Sequence, residues 1–84
     1  MSKPKTLTAA TAAVERVLSD ARIPTVHSMT IRTGRGLPED PWVTTVTIAH
    51  DNQQEQAGRA LAIFTTKASG VRKSSTRTWE VTWR

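Results

Sequence analysis

The sequence predicts an α+β fold. The expected architecture is a two-layer sandwich in the order α-β-β-α-β, with two helices on one face of a three-stranded mixed sheet. Three observations lead there. Two segments carry apolar residues at the 3.6-residue helical period, three others alternate apolar and polar residues, and breaker-rich stretches separate them. The 84 residues suffice for one small domain. We assign residues 1–6 to a short basic N-terminal arm and 7–84 to a single α+β domain.

Helix 1 is expected over about 8–22. Ala10, Val14, Val17, Leu18 and Ala21 form one stripe, with Glu15, Arg16, Ser19, Asp20 and Arg22 opposite. Thr6 or Thr8 supplies the N-cap, and Pro24 ends the helix. Val26–Thr33 then alternates. His27, Met29 and Ile31 share one face, read as the buried one, and Ser28, Thr30 and Arg32 share the other. Gly34 to Pro41 is a loop. Trp42–His50 alternates again, with Trp42, Val46 and Ile48 inward and Thr45 and Thr47 outward.

Asp51 and Gln54 have the spacing of a capping box, and Ala57, Ala60, Leu61, Phe64 and Ala68 form the second helical stripe. Helix 2 is expected over about 52–68, with Gly70 just past its end. Residues 71–76 are basic and serine-rich and read as a connection. Arg77–Trp83 is the last strand, with Trp79, Val81 and Trp83 inward. These three are expected to be buried with Val14, Val17, Leu18, Leu61 and Phe64. A right-handed crossover makes strand 3 parallel to strand 2. Placed beside strand 1, it yields the sheet order 2-1-3. The open face then carries Ser28, Thr30, Arg32, Thr45, Thr47, Thr78, Thr82 and Arg84.

The chemistry readable in the chain is binding rather than catalysis. There is no cysteine, hence no disulfide, thiolate zinc site or thiol nucleophile. No G-x-S-x-G, H-E-x-x-H or P-loop pattern occurs. His27 and His50 are the only imidazoles, and inward-facing odd positions on strand 1 make them neighbours in the hairpin. Without a third ligand at metal spacing they do not define a metal site. Glu39 and Asp40 lie on a proline-flanked loop and read as solvated carboxylates. No enzyme activity, cofactor or metal is therefore expected.

The formal net charge is +5, concentrated in the last twenty residues. Lys67, Arg72, Lys73 and Arg77 gather around one segment rich in small residues and hydroxyls. That chemistry suits phosphates and makes nucleic acid the first expected partner. The alternative is a small protein-interaction or inhibitor protein of phage or mobile-element type. It would act through the open sheet face, an edge strand or the 34–41 loop, with Arg32, Arg35, Leu37, Thr45 and Thr47 as its contact residues. Unpaired strand edges also point to a homodimer. No apolar run spans a bilayer and no signal-like segment opens the chain, so membrane association is not expected and the expected location is cytoplasmic. Arg exceeds Lys eight to four, and Ala and Thr abound, a bias that fits a GC-rich genome of actinobacterial or phage type.

Overall fold

The computed structural model describes residues 4–65 and 69–83. Its elements are α1 (Leu7–Asp20), β1 (Thr25–Arg32), β2 (Trp42–Ile48), α2 (Gln54–Leu61), β3 (Ser69–Ser75) and β4 (Thr78–Trp83). Single 3-10 turns flank α2 at Asp51–Gln53 and Ala62–Phe64. The four strands form one sheet in the order β1-β2-β4-β3, and every neighbouring pair is antiparallel. The fold is thus α+β, but the three-stranded mixed sheet of order 2-1-3 is corrected to four antiparallel strands. The strand expected to run parallel to β2, Arg77–Trp83, is β4, and it lies beside β2 and antiparallel to it. The strand that directly follows α2 is β3, parallel to β2 and separated from it by β4, as in a split β-α-β unit.

The extra strand is β3, which occupies the expected connection. It carries one inward apolar residue, Val71, opposite Val81 of β4 and packed on the core. Gly70 accordingly lies in a strand and not at a helix end. The second helix is also shorter than 52–68, and residues 66–68 of that expected helix lie outside the described residues. The capping box does not form: His50 occupies the cap of the first 3-10 turn, with no side-chain cap bond.

Helix α1 begins as its sequence implies. The Thr6 hydroxyl accepts a hydrogen bond from the Ala9 amide at 3.0 Å. Its end is a Schellman turn. The Ile23 amide donates to Leu18 C=O and the Arg22 amide to Ser19 C=O, each at 2.9 Å, while Arg22 takes φ +60°. Leu18 and Ile23, the apolar pair that closes such a turn, are both buried.

Both helices cover one face of the sheet. Ala10, Val14 and Leu18 of α1 and Ala57 and Leu61 of α2 share a core with Trp42, Val46, Ile48, Trp79, Val81 and Trp83. Phe64 meets Trp83 edge to face, with ring centroids 5.1 Å apart. Val17 packs on the margin of this core instead of within it. Among the described residues no helix is long and apolar enough to cross a membrane.

Strand β1 is turned over relative to its expected facing. Thr30 is buried, while Met29 and Ile31 are about half exposed, at 49% and 52%. Ser28, Thr30 and Arg32 therefore lie on the helix side, and the odd residues lie on the open side. The cause is a chain of hydrogen bonds through the core. Trp83 Nε1 donates to Thr44 Oγ1 at 2.8 Å, Thr44 meets Thr30, Thr30 meets Thr11 at 2.7 Å, and Thr11 meets Leu7 C=O at 3.1 Å. Each hydroxyl has one proton. Thr11 gives its proton to Thr30 Oγ1 or to Leu7 C=O, and between Thr30 and Thr44 either hydroxyl can donate. A buried threonine so satisfied costs little, and its methyl group still packs.

Candidate interaction surface

The open face follows from the register. His27 opposes Thr47, which opposes Thr78; Met29 opposes Thr45, then Glu80, then Arg72; Ile31 opposes Val43, then Thr82, then Gly70. Its residues on β2 and β4 are only partly buried, as expected where no helix packs. Thr47 and Thr78 share a hydrogen bond of 2.9 Å. Glu80 and Arg72 form an ion pair of 3.4 Å at the β3 side. From β1 up to that pair, the side chains are His27, Met29, Ile31, Val43, Thr45, Thr47, Thr78 and Thr82, with histidine counted as neutral. None of them carries a formal charge, on a chain of net charge +5.

The predicted phosphate-binding residues are not brought to one place. Arg72 lies on the open face. Lys73 lies on the opposite side, where its Nζ donates to Gln54 Oε1 at 2.6 Å and sits 5.5 Å from the centre of the Trp79 ring. Arg77 occupies the β3–β4 turn, paired with Asp51 Oδ1 at 3.2 Å and donating to Ala49 C=O at 3.3 Å. Lys67 and Arg84 lie outside the described residues, as does Lys3 of the arm.

The alternative residue set divides similarly. Thr45 and Thr47 are on the open face as expected. Arg32 is not: its guanidinium lies 5.9 Å from the Trp42 ring centre on the helix side and reaches Leu37 C=O at 3.5 Å. Arg35 and Leu37 are exposed on the 34–41 loop. That loop is held by Asp40, whose Oδ2 accepts from the Leu37 amide at 2.9 Å. Gly34 has φ +64°, and a Cβ there would stand 3.1 Å from the same oxygen, so glycine is needed twice over.

The two histidines do not oppose each other. His27 faces Thr47, because opposed positions in the β1–β2 hairpin sum to 74 rather than to an odd number, except at the irregularity near Thr25. Among the described residues, no group of three His, Cys, Asp or Glu could hold a metal ion.

Sequence reasoning missed Met29, Ile31 and Val43 as surface residues. The available signal was on β2, whose inward set includes Thr44 as well as Trp42, Val46 and Ile48. A threonine on the buried side of one strand calls for a hydroxyl partner on the next, and Thr30 is that partner. No family model, curated protein or solved structure matches the chain.

Proposed function

We propose that this chain is a small non-enzymatic protein-interaction module that docks a partner on the open face of its sheet. The observation that carries this reading is the uncharged surface of Met29, Ile31, Val43 and four threonines on a strongly basic chain. Depletion of charge, with apolar side chains among hydroxyls, is the composition of an interface centre. The partner that fits is a protein surface of mixed apolar and hydroxyl character, because the cation on this face, Arg72, stands at its β3 side and is paired with Glu80.

The test uses Thr45→Lys with Thr82→Lys, which charges the centre of the face and leaves β1 intact. Both threonines are partly exposed, so stability is expected to change by less than about 1 kcal/mol. Proteins captured from lysate and cross-linked to wild type should be lost by this variant. An unchanged set of captured proteins refutes the docking face.

The nucleic-acid reading rests on Arg72, Lys73 and Arg77, three exposed cations around one hairpin. Each has a local partner that phosphate must displace or share. Titration of duplex and single-stranded oligonucleotides at low and physiological salt separates the readings. Binding that survives near 0.15 M salt supports nucleic acid, since contacts resting on charge alone are already weak there.

A further inference from the structure

We propose that the protein pairs with a second copy of itself along the free edge of β1. The pairing is antiparallel and centred on Thr30, with Glu15 of each copy facing the partner's Arg32. This goes beyond the docking face and does not depend on it, because Glu15 and Arg32 lie on the helix side of the sheet.

The two edges of the sheet are treated differently by the sequence. Edge β3 carries Arg72 and Lys73 and a register irregularity between Lys73 and Ser75, features that discourage pairing. Edge β1 has its own register irregularity, between Thr25 and His27, and one cation, Arg32, both at its ends; from His27 to Ile31 it is regular and holds no Lys, Arg, Asp, Glu, Pro or Gly. Its backbone groups without a partner among the described residues can be identified. The Thr33 amide donates to Pro41 C=O at 3.0 Å, and bonded and non-bonded positions alternate along an antiparallel pair. Odd residues of β1 thus turn their amides and carbonyls toward β2. Ser28, Thr30 and Arg32 turn theirs to the free edge.

A continuous sheet requires opposed residues to face the same side, so the index sum across the two-fold axis must be even. Centring on Ser28 places Met29 against the partner's His27. Centring on Met29 places Ile31 against the partner's His27. Only centring on Thr30 sets Met29 against the partner's Ile31, twice, and extends each Val43–Ile31 row across the junction. In that register Ser28 faces the partner's Arg32, and the two copies of Arg32 are never opposed.

Charge selects the same register. Ser28 and Glu15 line one groove between α1 and the β1 edge, together with the small residues Thr8, Thr11 and Ala12. Among the described residues Glu15 makes no ion pair. A guanidinium arriving opposite Ser28 on the helix side reaches the mouth of that groove. Arg32 reaches it by giving up a long, exposed bond to Leu37 C=O and its place 5.9 Å from the Trp42 ring centre. Two Glu15–Arg32 contacts per dimer offset the repulsion between two chains of charge +5.

The experiment is sedimentation and light scattering from micromolar to millimolar concentration, on wild type, Glu15→Arg, Arg32→Glu and the double variant. Wild type should approach twice the chain mass of 9.2 kDa. Either single reversal turns two attractions into two repulsions and should weaken the dimer about tenfold or more. The double variant restores both pairs with exchanged signs and should recover the wild-type constant. If Arg32→Glu fails to fold, Glu15→Arg on an exposed helix face carries the test. A mass of 9.2 kDa throughout overturns the proposal. So does a dimer indifferent to both single reversals, or a double variant no tighter than either single one.

Discussion

Arg22 occupies the left-handed position of the α1 terminus with φ +60°, where glycine is the usual residue. A side chain there costs about 1–2 kcal/mol relative to its ordinary conformations. Arg22→Gly should therefore raise stability by about 0.5–1 kcal/mol, after the greater chain freedom of unfolded glycine is subtracted. Urea titration measures it, and a destabilised variant contradicts the turn. Thr44 is the opposite kind of residue, wholly buried and bonded on both sides. Thr44→Val keeps the shape and removes the acceptor of Trp83 Nε1, leaving a buried donor without a partner. The expected loss is about 1–3 kcal/mol. Thr47→Val, on the open face, is the control and should change stability by less than about 0.5 kcal/mol. Equal effects of the two substitutions would contradict the facing of β2. At this scale the sequence was legible where a residue acts on its own neighbours, as Thr6 does. It was not legible at Thr30, whose inward facing depends on hydroxyls from two other elements.

Among the elements, α1, β2 and β4 announce themselves because each has a strong apolar face. Trp42, Val46 and Ile48, or Trp79, Val81 and Trp83, leave no doubt about which side is inward. Strand β1 has the right period and the opposite phase, since its larger apolar side chains point to solvent. Strand β3 has almost no apolar signal, because an edge strand held by one neighbour needs only Val71 on the core. Its charges serve another purpose. An exposed edge is a template for pairing, and Lys and Arg on it oppose aggregation. Arg72→Thr with Lys73→Val also removes the Glu80 and Gln54 contacts, both exposed and of small energetic weight. The variant should fold, and its solutions should scatter light at concentrations where wild type stays clear. Solutions as clear as the parent's would show that the charges do not guard this edge. Asp51 was likewise read as a helix cap from local spacing. The turn of β3–β4 brings Arg77 to it instead, a contact between residues far apart in the chain.

Over the whole molecule, the charge excess is real but divided by the sheet. The +5 of the composition reads as one basic segment in the sequence, because Lys67, Arg72, Lys73 and Arg77 are close in number. A strand separates what sequence proximity joins: consecutive residues point to opposite faces. Arg72 and Lys73 thus address different sides of the sheet, and Arg77 is held at its end by Asp51. One phosphate backbone lying along either face meets Arg72 or Lys73, together with Arg77, and not the whole set. Each neutralised phosphate contributes about 0.9 to the slope of log affinity against log salt on duplex DNA. Two contacts give a slope of about −1.8, whereas the full set of four gives roughly −3 to −4. The expected result is weak, sequence-independent association at low salt with the shallower slope, fading toward 0.15 M. In that case Arg72→Ala and Lys73→Ala should affect the slope unequally, because one backbone cannot engage both. A slope near −4 that both substitutions reduce by about one each would mean that the four cations act together. It would make the β3–β4 hairpin, and not the uncharged open face, the working surface of the protein.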